Sequence, residues 1–415
     1  MQILIVNVHS AHNAGDDGIL RATLADLRQA FPQATLTIAA NDPASYRGHI
    51  PAAVVGALAL HFGDPALGKW RRKFGLGMLM LPLMALAALL YRITGVRLVW
   101  GGTVLRETLR AYYQADLVLS CGGGYLFASR PLSPAYLTRL LAIGWALALG
   151  KRVVMLPQSL GPIQGGLQQQ LARFVLNRVD ALIVRESRAL DYATQILQLR
   201  CPVSCLPDLA FRLQPAPPLA LPRTVRVGIV PMDWGAQQPG FTAQTRYETA
   251  LVELAVQLYR EHGISIYLIC QCTGPSPEQD DRRVARRLHT RLAEAGAPAT
   301  VLADFPDAYA LSAAYAAMDC VVTTRMHGGI LTLISHTPVI VLGYQPKSAG
   351  IMQMLGLSEF YLPIEEANGP ALAARVHTVI ANPAPVRSRI VQAVAQTQAQ
   401  LAGWPARLAP PGEQR

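Results

Sequence analysis

Residues 321–357, VVTTRMHGGILTLISHTPVIVLGYQPKSAGIMQMLGL, form the stretch that decides the fold. A short apolar run, Cys320–Thr323, leads into Arg325-Met326-His327 and then into a helix-like segment. A second apolar run, Val339–Leu342, follows, and a loop with Lys347 precedes a short helix. Short apolar runs that alternate with helical segments are typical of parallel strands that are buried on both faces. We therefore predict a strand–helix–strand–helix unit of an α/β domain.

The turns of this unit carry an arginine, a histidine and a lysine, namely Arg325, His327 and Lys347. Helices begin at these turns, and the first N–H groups of a helix have no backbone partner. Cations beside such N–H groups favour an anionic ligand. A histidine in the same place can give and take a proton near neutral pH. We expect this edge of the sheet to bind an anionic substrate.

Polar residues and glycines also follow the apolar strands of the N-terminal half. The candidates at the ends of predicted strands are Asn13, Asp16, Gly123, Gln158, Arg185 and Asp208. Doubly wound sheets bind ligands at the carboxyl ends of their strands, so these residues are candidates for contacts with the substrates. Each also has a purely structural interpretation. Asp16 can cap the helix that follows it, and the Gly122-Gly123-Gly124 triplet can mark close backbone packing.

A proline-rich segment divides the chain into two predicted domains. Residues 214–222, QPAPPLALP, hold four prolines in nine residues and are typical of a stiff linker. We predict an N-terminal Rossmann-like domain over 1–213, a second over 223–382, and a closing helix and tail over 383–415. The predicted fold class is α/β, with two doubly wound Rossmann-like domains that face a cleft, and with an inserted apolar helical segment at 65–102.

The composition and net charge limit the classes of protein to which this chain can belong. The 415 residues are 51 % hydrophobic and 15 % charged, which is typical of a globular protein, and the net charge of +11 favours acidic partners. Basic and aromatic residues do not interleave as they do in nucleic-acid-binding motifs, so we expect no nucleic-acid partner. The six cysteines have no regular spacing, which predicts buried free thiols. The opening residues, Ile3-Leu4-Ile5-Val6, read as a buried strand and not as a signal peptide, so we expect a cytoplasmic protein.

The predicted insertion contains an apolar stretch, Phe74–Tyr91, that has no charged residue. Its flanking basic residues are Lys69, Arg71, Arg72, Lys73, Arg92 and Arg97. A membrane span here would separate the first strand from the rest of its sheet. Basic residues on both flanks favour instead a shallow hairpin, bent at Gly75, Gly77 and Pro82, that rests on the cytoplasmic face of the membrane through about residues 69–97. The alternative is an apolar helical pair packed on the domain or on a second copy.

Several motifs together resemble the polysaccharide pyruvyl transferase family. They are Asn13-Ala14-Gly15-Asp16, Gly122-Gly123-Gly124, Pro157–Pro162, Arg185-Glu186-Ser187, Pro207–Phe211, Arg325-Met326-His327-Gly328 and Lys347–Met352 with Leu355-Gly356-Leu357. Their order over about 350 residues is most similar to the colanic-acid-type branch. The segment 65–102 lies outside these motifs. The resemblance implies a GT-B-like fold and transfer of pyruvate from phosphoenolpyruvate to a sugar as a ketal.

The resemblance also implies roles for the predicted site residues. His327 would be the general acid and base, and Arg325 and Lys347 would bind the phosphate and carboxylate of the donor, with Arg185 as a third clamp. The acceptor would be a glycan or a lipid-linked oligosaccharide, and no metal or other cofactor is expected. Two alternatives remain: a nucleotide-sugar glycosyltransferase of the same shape, and a scaffold protein without activity. The oligomeric state stays open.

Overall fold

The computed structural model describes residues 1–61, 69–234, 243–343 and 346–408, with the backbone alone described for 69–79 and 346–347. The chain divides into two compact units. The first contains Met1–Ser10, Ile19–Leu209 and the segment that begins at Gly403, and the second contains Ala11–Gly18 and Ala210–Ala402. Both units are therefore discontinuous in sequence.

The described strands of the first unit form one parallel sheet. They are β1 (Gln2–Val8), β2 (Thr35–Ala40), β3 (Ala53–Gly56), β4 (Leu117–Ser120), β5 (Gly123–Ala128), β6 (Arg152–Ile163), β7 (Ala181–Val184) and β8 (Val203–Cys205). Their order is β3-β2-β1-β4-β6-β7-β8, and β5 pairs with β6. The strand order reverses between β1 and β4, because β2 and β3 are added on one side of β1 and β4 on the other. Sheets of this kind bind ligands at such a reversal.

Helices follow the strands of this sheet, as the alternating pattern of the sequence predicts. They are α1 (Ala14–Ala30), α2 (Lys69–Thr94), α3 (Thr103–Gln114), α4 (Pro134–Ala148), α5 (Gly166–Leu176) and α6 (Ser187–Asp191). Strand residues such as Leu119, Val154 and Leu182 are fully buried. Burial on both faces explains why these strands read as continuous apolar runs and not as alternating ones.

The second unit has the same construction. Its described strands are β9 (Arg226–Val230), β10 (Ser265–Ile269), β11 (Ala299–Leu302), β12 (Cys320–Thr323), β13 (Val339–Gly343) and β14 (Tyr361–Pro363). They pair in parallel in the order β11-β10-β9-β12-β13-β14, which reverses between β9 and β12. The strand that carries the Arg325-Met326-His327 turn is thus one of the two strands at the reversal.

Side-chain and glycine caps mark several helix ends of this unit. The described helices are α7 (Gln244–His262), α8 (Asp281–Glu294), α9 (Ala308–Ala316), α10 (Met326–Ile334), α11 (Pro346–Met354), α12 (Gly369–Ala381) and α13 (Pro383–Gln400). The side chains of Asp280, Asp307 and Asn368 accept backbone N–H groups at the starts of α8, α9 and α12. Gly263 ends α7 in the left-handed conformation.

The predicted α/β class is confirmed, and several element boundaries differ from the prediction. β3, β5 and α3 were not predicted from the sequence. Strand β6 continues through Pro157–Pro162, although two prolines so close together are more typical of a turn. Proline ends most strands but can occur at irregular places in them. Pairing of β6 with β7 shifts in register between Met155 and Gln158, next to Pro157.

The predicted hairpin at Phe74–Tyr91 is wrong, because α2 is one continuous helix with Pro82 in its interior. Met84, Ala87 and Ala88 on one side of α2 are buried in the core of the first unit. The helix is thus held by packing on one face, and the bend expected at Pro82 does not end it. None of the helices within the described residues combines the length and hydropathy needed to cross a bilayer.

Candidate active site

Arg325 and His327 lie where β12 ends and α10 begins. Arg325 is the residue before the first helical turn, and His327 lies within that turn. β12 pairs with β9 on one side and β13 on the other, so this turn lies at the carboxyl end of the sheet where its strand order reverses. The second sheet therefore places both predicted residues at the position where doubly wound sheets bind ligands.

A buried carboxylate fixes the guanidinium of Arg325. Its Nε donates to Asp281 Oδ2 at 2.7 Å, and an Nη atom donates to Asp281 Oδ1 at 2.5 Å. The Asp281 side chain is fully buried and also accepts the backbone N–H of Cys272 at 2.9 Å. The Arg325 side chain is 11 % exposed. This bidentate pair sets the plane of the guanidinium, which a single contact would leave free to rotate.

Asp280 and Asp281 stand at the start of an arginine-rich helix, where the sequence alone suggests a solvated surface, but Asp281 is buried. Asp280 is the N-cap of α8, and Asp281 is the first helical residue and points into the core. Burial raises the pKa of the Asp281 carboxyl, and the adjacent Arg325 guanidinium opposes that shift. The apolar positions that follow on α8, Val284, Ala285 and Leu288, are spaced so that Asp281 shares their buried face, and this spacing could have indicated its burial.

The backbone of the turn is held by Thr323, the last residue of β12. Its Oγ1 accepts the Arg325 N–H at 3.1 Å and donates to the Arg325 carbonyl at 3.0 Å. Gly328, in the first turn of α10, packs closely against the side chains of Thr323 and Gln271. A Cβ at this position would lie 2.4 Å from Thr323 Oγ1 and 2.8 Å from Gln271 Oε1. Gly328 is therefore required by packing within the second unit.

The motif Asn13-Ala14-Gly15-Asp16 lies beside this turn in the second unit. A Cβ on Gly15 would lie 2.4 Å from Nδ1 and 2.5 Å from Cγ of His327, so the imidazole rests directly on the Gly15 backbone. His327 itself is half-buried. The sequence predicts that Gly15 permits a close approach, and the structure shows that the approaching group is the imidazole of His327.

Asn13 organises the start of α1. Its Oδ1 accepts the Gly15 N–H at 3.1 Å, and its Nδ2 donates to Asp16 Oδ2 at 2.9 Å. Backbone contacts with Gln271 and Cys272 attach this segment to the end of β10. The cap expected of Asp16 is thus supplied by Asn13, and the half-buried Asp16 carboxylate lies next to the same turn.

Two other predicted residues of the N-terminal half, Arg185 and Asp208, are brought together in the first unit. Arg185 is fully buried, and its guanidinium donates to Asp208 at 2.5 Å and to Ser159 Oγ at 2.9 Å. Glu186 lies 3.4 Å from the same guanidinium and accepts the Ser159 hydroxyl. Two carboxylates therefore balance the charge of Arg185 within this unit, and a substrate is not needed for that balance.

Gln158 and Gly123 pair with each other where β5 meets β6. Gln158 is fully buried, and within the described residues neither its Oε1 nor its Nε2 has a hydrogen-bond partner. Gly123 has a φ of +136°, which favours glycine. At the neighbouring Gly122, a Cβ would lie 2.7 Å from the Pro157 carbonyl oxygen, so the glycine run permits close packing of two backbone segments.

Lys347 lies at the start of α11, directly after β13 in the chain. Its side chain is outside the described atoms, and its predicted role stays a prediction. Within the residues that the structure describes, no cluster of three or more histidine, cysteine or carboxylate side chains could hold a metal ion. The arrangement of the second unit therefore offers an oriented guanidinium, an imidazole and a helix start, which suit binding of an anion and transfer of a proton.

The family model described as polysaccharide pyruvyl transferase matches residues 13–346, a range that begins at Asn13 and includes Arg325 and His327. The chain belongs to the polysaccharide pyruvyl transferase family. This confirms the family and the class of transferase that the sequence motifs predict.

A curated relative and several solved structures are similar over nearly the whole chain. The amylovoran biosynthesis protein AmsJ of Erwinia amylovora is 25 % identical, with 95 % of this chain and 96 % of that protein covered. Sucrose-phosphate synthase from Thermosynechococcus elongatus has a TM-score of 0.56 at 16 % identity and covers 96 % of this chain and 94 % of its own.

A putative UDP-N-acetylglucosamine 2-epimerase from Listeria monocytogenes has a TM-score of 0.57 at 10 % identity, with 98 % of this chain and 96 % of that one covered. At such identities the likeness shows the fold alone. It supports the predicted GT-B-like class with two Rossmann-like domains.

Proposed function

We propose that this transferase moves pyruvate from phosphoenolpyruvate to a sugar of an exopolysaccharide intermediate. The observation that carries the proposal is the turn at the end of β12, where Asp281 orients Arg325 and Gly15 supports His327. Phosphoenolpyruvate is a small anion with a phosphate and a carboxylate, and a preoriented guanidinium can bind either group bidentately. AmsJ, the relative noted above, is named for the biosynthesis of amylovoran.

The proposed reaction has a simple balance. C2 of phosphoenolpyruvate forms bonds to two sugar hydroxyl oxygens, and its bond to the phosphate oxygen breaks, so that inorganic phosphate leaves. Of the two protons that the sugar hydroxyls lose, one is gained by C3 and the other by the released phosphate. His327 would pass a proton between a hydroxyl and C3, because an imidazole can act as both base and acid near neutral pH. Arg325 and Lys347 would hold the donor, and the scheme assigns no step to a metal.

Calorimetric titration tests the donor. We expect phosphoenolpyruvate to bind the wild-type protein, and UDP-sugars and GDP-sugars not to bind. Arg325→Lys keeps a cation beside Asp281 but loses the planar fork, and we expect donor affinity to fall by about 1.5–3 kcal/mol, or roughly 10- to 100-fold. Arg286→Lys, at an exposed position of α8, is the matched control. Binding of a nucleotide sugar without binding of phosphoenolpyruvate would mean that the protein is a glycosyltransferase of the same fold.

The proposed role of His327 in proton transfer can be measured separately from donor binding. We expect His327→Ala to lower the turnover rate by about 10²- to 10⁴-fold, the range of general acid–base catalysis, while phosphoenolpyruvate still binds. The measurement pairs release of inorganic phosphate with calorimetry on the same sample. His336→Ala, on the loop after α10, is the control and should leave both unchanged. Turnover near the wild-type rate in His327→Ala would exclude it as the acid and base.

We further propose that α2 rests on the cytoplasmic face of an anionic membrane, where a lipid-linked acceptor would be found. Leu81, Leu86, Leu89 and Ile93 form an exposed apolar stripe opposite its buried side, and Ile93 is 73 % exposed. Arg92 is exposed next to this stripe, and no acidic residue occurs between 65 and 106. An apolar stripe with basic flanks fits the boundary between lipid headgroups and acyl chains.

Flotation with liposomes tests this contact. We expect the protein to float with vesicles of phosphatidylglycerol and phosphatidylcholine, and the variant Leu86→Ser/Leu89→Ser to float far less. The control is Val225→Ser/Val391→Ser, which removes exposed apolar side chains of the second unit. Equal flotation of both variants would exclude α2 as the membrane contact.

A further inference from the structure

We propose that a pocket in the first unit binds one uncharged sugar ring of the acceptor. This inference rests on the proposed function, because it assigns the second substrate of the same reaction. The pocket has a volume of about 260 Å³ and lies within one unit, so its shape depends on that unit alone. Its volume lies just below the range of about 300–1,000 Å³ for sites of drug-sized ligands, which suits a single sugar ring.

The pocket lies where the strand order of the first sheet reverses. It is lined by residues at or just after the ends of β1, β2 and β3, including Asn7, Asn41 and Leu58, and by Thr138 and Ala142 of α4. β1 lies between β2 and β4, so the pocket is beside the reversal between β1 and β4. Ligands of doubly wound sheets bind at this position for a geometric reason: the helices diverge to opposite faces there and leave a crevice.

The backbone at the pocket is held in an uncommon conformation. Asn7 has a φ of +60°, and the register of β1 with β2 shifts between Ile5 and Val8. Its side-chain Nδ2 donates to Ser120 Oγ at 2.9 Å and to the Arg139 carbonyl at 3.3 Å, so the conformation is fixed from two directions. Irregular strand ends and positive-φ residues other than glycine cluster at binding sites, where they aim a polar group at a ligand.

The neighbouring His9 presents a buried polar atom that needs a partner. Its Nδ1 is buried, and within the described residues it has no hydrogen-bond partner. A buried polar atom is nearly always hydrogen-bonded to protein or to a bound molecule. A sugar hydroxyl suits this atom because a hydroxyl can donate or accept, whichever tautomer the imidazole adopts.

The chemistry of the lining suits a polyhydroxyl ligand. Among the described residues that line the pocket, the polar groups are the amides of Asn7 and Asn41, the Thr138 hydroxyl, the His9 imidazole and the Arg139 guanidinium. Arg139 already donates to the Tyr125 carbonyl at 2.9 Å. The remaining walls are aliphatic apart from Tyr112. A pyranose ring has hydroxyls around its edge and apolar C–H faces, which matches this mixture of groups.

Saturation-transfer NMR with methyl glucopyranoside, methyl galactopyranoside and methyl mannopyranoside tests the pocket. We expect at least one of these sugars to bind the full chain, and Ala135→Phe, at an exposed lining position of α4, to abolish that signal. Ala148→Phe, exposed at the other end of the same helix, is the matched control and should bind as the wild type does. The thermal unfolding temperature of each variant checks that it is folded.

The possible results distinguish a failure of the sugar pocket from a failure of the proposed function. Equal sugar signals in wild type and Ala135→Phe would overturn the pocket assignment, as would no sugar signal in the wild type or displacement of the sugar by UDP. Phosphoenolpyruvate calorimetry on the same samples reports the donor alone, and Ala135→Phe should leave that affinity unchanged. If phosphoenolpyruvate does not bind but Ala135→Phe still abolishes the sugar signal, the result contradicts the proposed donor and supports the sugar site.

Discussion

The orientation of the Arg325 guanidinium depends on Asp281, a residue 44 positions earlier in the chain. The Asp281 carboxylate is buried and binds the guanidinium through both oxygens, so the direction of the arginine is decided by the start of α8. The cationic turn was predictable from the sequence, because Arg325 and His327 directly follow an apolar strand. Its partner was missed, because a pair of aspartates at the start of an arginine-rich helix also suits a solvated surface, and only the apolar spacing of α8 indicates that Asp281 is buried.

Asp281→Asn tests this dependence. The substitution keeps the shape but removes the charge, and breaking a buried ion pair costs about 3–5 kcal/mol. We expect urea unfolding to show a loss of that size and calorimetry to show weaker binding of phosphoenolpyruvate. The control is Asp280→Asn, since an asparagine keeps the acceptor oxygen of the N-cap. Equal effects of the two substitutions would contradict the special role of Asp281.

Gly15→Ala tests the contact with His327. The added Cβ would lie 2.4 Å from Nδ1, so the imidazole must move, and a displacement of about 1 Å can lower a catalytic rate about 10²-fold. We expect phosphate release to fall by about that factor with little change in donor affinity. Gly18→Ala on the same helix is the control, because its Cβ would meet no described atom closer than 3.5 Å. Similar rates for both variants would show that the imidazole position is unimportant.

At the scale of elements, the strands that are buried on both faces were the easiest to predict. β1, β9, β12 and β13 consist mainly of buried apolar residues, because a strand that is covered on both faces has little room for polar side chains. The missed strand β5 starts within the glycine triplet, where the composition indicates a turn. Strand β6 passes through Pro157 and Pro162, which normally end a strand. Helix α2 contains two glycines and a proline, and packing of its inner side outweighs their low helix propensity.

The Arg185 network gives a prediction at this scale, because it joins the ends of β6 and β7 to the segment after β8. Arg185→Gln would leave the buried Asp208 and Glu186 without their cation, and we expect a loss of about 3–5 kcal/mol in the free energy of unfolding. Arg188→Gln, exposed on α6, is the control. A stability unchanged by Arg185→Gln would show that the buried network is not required for the fold, and phosphoenolpyruvate calorimetry on the same variant tests its predicted contact with the donor.

For the whole molecule, the six cysteines are free thiols, and five of them are buried. Burial raises the pKa of the Cys270 and Cys320 thiols to about 12, far above the pH of ordinary labelling. Only the thiolate reacts, so the native protein should react slowly with Ellman's reagent at pH 8, while all six thiols should react once it is unfolded in guanidinium. Rapid reaction of most thiols in the native protein would contradict the burial that the structure shows.

The discontinuity of the two units governs the order in which the chain can fold. Residues 11–18 are synthesised long before residues 210–402, yet the two segments belong to the same unit. Conversely, Trp404, which donates to Asp26 at 2.6 Å, belongs to the unit that is otherwise made first. Domains usually fold during synthesis in N-to-C order. Here the second unit is completed only by residues 210–402 and the first only by the segment that begins at Gly403. A fragment cut in the proline-rich segment would therefore supply neither a closed first unit nor the Gly15 support of His327.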